Sequence, residues 1–141
     1  MTLSFKITNI VEVSAEKIKN ALCCAFEGGS NYWYMNLSPA EDNVIPYKEF
    51  RETGSQQEPG DYWHWCQIMP LVEGCAVTFE DKHHEGGTKL HRLDVAAIEN
   101  GLAVMADKEP KHFADLISEN DDCITGDVFL QCCVFGEVLY G

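Results

Sequence analysis

Between Ser14 and Phe26 the apolar positions Ile18, Ala21, Leu22 and Ala25 fall three and four residues apart, which predicts a helix. Ser14 is placed to cap it, and Glu16 puts a negative charge in the first turn, where the helix dipole favours one. The pattern stops at Gly28, where the segment Glu27 to Tyr34 passes through two glycines into an aromatic stretch. Two successive glycines allow positive φ without a Cβ clash, so a tight reversal is expected here. It feeds a strand from Asn31 to Leu37, with Trp33 inward and Tyr32 and Tyr34 on the opposite face.

Before that helix, Phe5, Ile7, Val11 and Val13 alternate loosely, as in a first strand or an extended lead-in. Tyr62 to Met69 reads as a further strand, with Trp63, Trp65 and Gln67 on one face, Tyr62, His64 and Cys66 on the other, and Pro70 as its limit. Cys75 to Glu80 and Thr88 to Leu93 are two β-prone runs around a turn rich in histidine and glycine, which predicts a hairpin. Helices follow. Asp94 caps one through Ala106, on which Val95, Ile98, Leu102 and Met105 share a face, and another carries Phe113, Leu116 and Ile117 after Pro110. Thr125 caps a last helix to about Phe135, with Gly136 as its stop. Pro39, Pro46, Gly54, Pro59 and Gly60 mark a surface loop around 38–60, broken by a short piece from Tyr47 to Phe50. The pattern predicts one α+β domain over residues 1–141, a small antiparallel sheet with a hairpin packed against three to four helices. No βαβ alternation suggests a parallel nucleotide-binding sheet.

Composition agrees with a folded domain: 141 residues, 45% hydrophobic and 23% charged. Charge changes the picture more. Ten Lys and Arg against 23 Asp and Glu give a net charge of −13, a field that repels phosphate backbones and disfavours nucleic acid or anionic membrane as partner. Two stretches hold acids without any Lys or Arg. One has Glu52, Glu58, Asp61, Glu73, Glu80 and Asp81, the other Asp115, Glu119, Asp121, Asp122, Asp127 and Glu137. Such faces could dock on a basic partner or imitate a DNA backbone, while the plainer reading is solubility. Seven cysteines, two pairs of them adjacent, make a poor disulfide framework and read as reduced thiols in a cytoplasmic protein. The N-terminus lacks the apolar run of a secretory signal, and no run is long enough to span a bilayer.

Candidate chemistry is thin. Tyr32, Tyr34, Tyr62, Trp63 and Trp65 could form a stacking platform for a nucleotide or a peptide side chain if neighbouring strands display them together, or they build the core. An anionic ligand there would need Lys48, Arg51, Lys89 or Arg92 to line the pocket. His83, His84 and His91 offer a hairpin-tip metal site without the usual zinc spacing, and solvent-exposed turn residues are the simpler account. No cysteine or histidine sits in an activating motif, so neither catalysis nor any cofactor or metal is expected.

Two segments carry a resemblance: Ala25 to Trp33, after the first helix, and Asp127 to Gly141. Together with the hairpin-plus-helix from Cys75 to Met105, the combination resembles a family of small proteins carried by bacteriophages and prophages. The likeness misses Pro39 to Gly60 and transfers no functional residue. It implies a setting, since small acidic phage proteins often resemble inhibitors of bacterial immunity that act by binding. The expectation is a non-enzymatic, anti-CRISPR-like protein in the bacterial host cytosol, docking Glu52, Glu58, Asp61, Glu73, Asp115, Glu119, Asp121 and Asp122 on a host protein with a basic, nucleic-acid-binding surface. The alternatives are a nucleotide-messenger binder using the aromatic segments, as a homo-oligomer, and a structural or housekeeping phage component.

Overall fold

A computed structural model describes residues 2–54, 64–83, 86–87 and 89–141, with residues 51–54 described by backbone alone. The order is α1 (Ala15–Cys24), a π-helical turn (Ala25–Gly29), β1 (Tyr34–Pro39), α2 (Tyr47–Gly54), α3 (Trp65–Ile68) running into a 3-10 turn (Met69–Leu71), then β2 (Val77–Asp81) and β3 (Lys89–Leu93). The chain finishes with α4 (Val95–Lys108), α5 (Pro110–Ile117) and α6 (Cys123–Phe135). The strands form one antiparallel sheet in the order β1-β2-β3. This is the α+β fold that the pattern predicts, with six helices among the described residues where three to four were expected.

Helix α6 is the centre. Every residue from Thr125 to Cys133 is buried, so the helix is enclosed all round and has no solvent face. α1 and the π turn pack on one side of it, α4 and α5 on others, and β3 meets it from the sheet. Small residues allow the closest approaches. A Cβ added to Gly126 would stand 2.6 Å from Cys24 Cβ and 2.8 Å from Ala21 O, and one on Gly101 would meet Cys133 Sγ at 2.3 Å. Trp33, Phe79 and Phe129 are fully buried, each worth roughly 1.5–3 kcal/mol over exposure. Trp33 lies 5.9 Å from Phe79 and 5.1 Å from Phe135, which ties the sheet to the end of α6.

Caps set the helix boundaries. Ser14 accepts from Lys17 N at 3.4 Å and Asp94 from Ala97 N at 2.9 Å, as the sequence suggests. α6 starts earlier than expected, because Asp122 rather than Thr125 is its cap, accepting from Thr125 N at 2.9 Å. Thr125 is buried one turn in, with its hydroxyl 3.2 Å from His112 Nδ1. Gly136, at φ 72, ends the helix in the left-handed region.

Three strand expectations change. The run read as a strand from Tyr62 to Met69 is helical over its described part, because His64 and Gln67 form a capping box (His64 N donates to Gln67 Oε1 at 2.9 Å). Gln67 Nε2 then donates to Lys19 O at 3.0 Å, which fastens α3 to α1. Tyr62 and Trp63 lie outside the described residues. The piece from Tyr47 to Phe50 is the first half of α2, and Phe5 to Val13 belongs to no strand. β1 begins at Tyr34, not Asn31, since residues 30–33 turn, and a register shift between Met35 and Ser38 accompanies Asn36 at φ 58.

Gly126→Ala should lower unfolding free energy by about 1–3 kcal/mol, the usual cost of overpacking, because the new methyl meets backbone atoms that cannot rotate away. Urea midpoints of the two proteins check it.

Candidate functional site

The segments Ala25 to Trp33 and Asp127 to Gly141 meet at one carboxylate. Asp127, in the second turn of α6 and 8% exposed, accepts at Oδ1 from Ser30 Oγ and Trp33 Nε1, both at 2.7 Å. At Oδ2 it accepts from Tyr32 Oη at 2.6 Å and from Gln131 Nε2 at 3.1 Å, one turn further along the same helix face. Three donors within the four residues Ser30 to Trp33 can converge this way only if the chain leaves the π turn hard against α6. Gly29 permits that, since a Cβ there would lie 2.1 Å from Cys123 O, whereas one on Gly28 would stand 3.8 Å from Cys123 Sγ. Gly29 is therefore needed for close approach, and neither glycine lies in the left-handed region that the sequence suggested.

Gln131 extends the network. Its Oε1 accepts from Leu139 N at 2.8 Å and Tyr140 N at 2.9 Å, while Nε2 donates to Tyr140 O at 3.1 Å. Tyr140 in turn donates to Asp81 Oδ2 at 2.8 Å, and its ring lies 5.9 Å from that of Trp33. Asp81, on β2, also accepts from His83 N at 2.9 Å. Two acids thought to be part of surface stretches, Asp81 and Asp127, are thus internal acceptors. Burial, then the hydrogen bond to Asp127 and the charge of its carboxylate, pushes the Tyr32 hydroxyl up to about 12. The Tyr140 hydroxyl is raised likewise, by burial and then by Asp81.

This arrangement holds structure and leaves no lone pair for chemistry. A carboxylate has about four acceptor sites, and Asp127 fills them with four donors, which removes it as a general base. An open groove of about 360 Å³ beside it is lined by Gly29, Tyr32, Cys123, Ile124, Asp127 and Gly141.

The expected aromatic platform is not assembled among the described residues. Tyr32 sits in the turn, while Tyr34 turns into the core and donates to Phe26 O at 2.6 Å instead of facing away from Trp33. Trp65, on α3, packs edge-on against Tyr47 at 5.4 Å. Of the basic residues proposed to line a pocket, Arg92 is committed to Asp42 at 2.8 Å and Asp94 at 3.3 Å; the Arg51 side chain lies outside the description. His83 Nε2 lies 2.9 Å from Tyr32 O, His91 is buried against Phe135 and Phe79 and is not a turn residue, and His84 lies outside the described residues. No group of three metal-ligating side chains occurs among the described residues.

The predicted acidic residues divide. Glu58 and Asp61 lie outside the described residues, and Glu52 is described only by its place in α2. Glu73 is exposed in the turn before β2, on the rim of an open groove of about 660 Å³ that Arg92, Asp94 and Glu99 also line. Asp115, Glu119, Asp121 and Asp122 fall together on the end of α5 and the turn into α6. That turn abuts the C-terminus of α1, because burial first, and then the charges of Asp121, Cys123, Cys23 and Asp122, push the Cys24 thiol up to about 11. Glu27 raises Cys23 in the same way, after burial, and stands 3.1 Å from His64. Glu27, Asp121 and Asp122 therefore surround a cysteine corner in which a thiolate is disfavoured. Cys66 and Cys132 are likewise pushed up to about 11, by burial above all. Asp127 and Gln131 were not singled out as a site from sequence. Their signal is an acid and an amide one turn apart within an otherwise apolar helix.

Asp127→Ala should cost about 3 kcal/mol or more, because Ser30 and Trp33 each lose a buried partner at roughly 1–3 kcal/mol; chemical denaturation measures it. The buried Cys132 and Cys133 thiols and the raised Cys24 and Cys66 thiols should resist iodoacetamide at pH 8 and react once the chain is unfolded, whereas the exposed Cys123 should be the native thiol that reacts first. The raised thiols also predict a sign for alkaline stability. Their contribution is complete below the unfolded value of 9.0 and is lost as pH rises through about 11, which a denaturation series from pH 8 to 11 would follow.

Comparison of the chain with protein-family models, with curated proteins and with solved structures gives no match.

Proposed function

We propose that the chain is a non-catalytic acidic binding protein that docks on a basic, nucleic-acid-binding surface of a host protein, in the manner of a phage-encoded inhibitor of a host defence factor. The observation that carries this reading is the acidic corner, where Asp121 and Asp122 of the α5–α6 turn face Cys24 and Glu27 of the π turn faces the neighbouring Cys23, with Glu119 exposed just before them in the chain. Asp122 is exposed, its carboxyl held below the usual range chiefly by the Thr125 backbone N–H that it caps. No Lys or Arg occurs between residues 112 and 141 to neutralise this face. A cationic surface shaped for phosphates offers the complementary field, and steering by such a field raises association rate more than it adds contact energy.

Host context comes from the resemblance of the Ala25–Trp33 and Asp127–Gly141 segments. Ser30, Tyr32 and Trp33 of the first segment and Asp127 of the second are spent on the buried network that supports the acidic corner, while Glu27 of the first segment belongs to the corner itself.

Capture from bacterial lysate on the immobilised protein tests the reading. A partner should be retained at low salt, released by heparin, and weakened several-fold as salt rises to about 0.5 M, where the Debye length falls to a few ångströms. Glu119→Lys with Asp121→Lys, which leaves the Asp122 cap intact, should abolish retention without changing the melting temperature. Retention indifferent to salt and to both changes would defeat the proposal.

A further inference from the structure

Residues 2–11 form an exposed arm with no strand or helix of its own, joined to the body where Val13 packs against the core. Leu3, Phe5 and Ile7 alternate along it at 78%, 81% and 90% exposure, followed by Ile10 at 88% and Val11 at 50%. That alternation presents one apolar face in an extended chain, a strand pattern without a sheet. The arm holds no acid, with Lys6 as its charged side chain, whereas the whole chain carries −13.

The sheet offers two outer strands, and they differ. β1 is broken by the register shift between Met35 and Ser38 and by Asn36 at φ 58, the kind of irregularity that blunts an edge against pairing. β3 keeps unbroken register with β2 over all five residues and shows Leu90 at 64% exposure, the one large apolar side chain exposed on the sheet among the described residues.

We infer that the arm is an exchange strand: in a symmetric dimer, the Leu3–Phe5–Ile7 face of each copy lies beside Leu90 on the β3 edge of the other. Two observations select a second copy as occupant. The apolar period of the arm matches the period of a strand edge, and the area is sufficient. Leu3, Phe5, Ile7 and Val11, which share one face of the extended arm, give roughly 800–1,600 Å² over both copies at roughly 100–200 Å² apiece, which reaches the range of a stable interface. The pairing lies apart from the acidic corner and does not depend on the function proposed for it.

Sedimentation equilibrium on the full chain tests the exchange. The wild type should be dimeric at micromolar concentration. Phe5→Asp with Ile7→Asp, and separately Leu90→Lys, should weaken dimerisation by at least about 100-fold while leaving the far-ultraviolet circular dichroism of the monomer unchanged. Hydrogen exchange supplies the second readout: amides of Lys89–Leu93 should gain protection as concentration rises, and lose that gain in the arm variant. A monomeric wild type, a dimer that survives both sets of changes, or protection of β3 independent of concentration would overturn it.

Discussion

A carboxylate enclosed among Trp33, Phe129 and the helices around α6 is stable only while every oxygen has its donors, and most of the architecture follows from meeting that demand at Asp127. Removing an acid from water costs several kcal/mol, and charge-assisted hydrogen bonds are among the few interactions strong enough to offset it. Ser30, Tyr32 and Trp33 supply three of them from a single turn. The turn must therefore lie against α6 at a fixed height, and with it β1, which starts one residue later. Once β1 is placed, β2 and β3 follow by pairing. A network of this kind specifies one arrangement, because any slip of the turn along α6 strands buried donors.

Close packing and polar satisfaction depend on each other here. Gly29 and Gly126 let the π turn and α1 approach α6 to backbone distance, and without that approach the donors would fall short of Asp127. The same proximity brings Glu27 and Asp121 to the cysteine corner, so the internal network also shapes the outside. Burial first, and the acidic field after it, keep the thiols at this corner protonated.

Much of the fold was legible because its signals are local. The caps at Ser14 and Asp94, the stop at Gly136 and the hairpin each depend on residues within a few positions of one another. The helix at Trp65 was not legible, since alternating aromatics imitate a strand over so short a run and the capping box that starts it uses His64, which is outside the usual set of capping residues. Acids counted along the chain gave two stretches, but burial withdraws Asp81 and Asp127 from the surface, and burial is a tertiary fact. The role of Asp127 was hidden for the same reason. Its partners lie 94 to 97 positions away and are ordinary residues until α6 places a charge among them.

Those separations also order events in time. Segments 30–34 are synthesised long before residue 127, so a growing chain carries Ser30, Tyr32 and Trp33 with no acceptor to meet, and Phe26 and Phe79 without the helix that covers them. Closing so long a loop costs entropy before any contact returns it, and folds dominated by distant pairings form slowly. The centre of the domain is therefore completed only after α6 has been made, because the first third of the chain has no buried acceptor to close around until then.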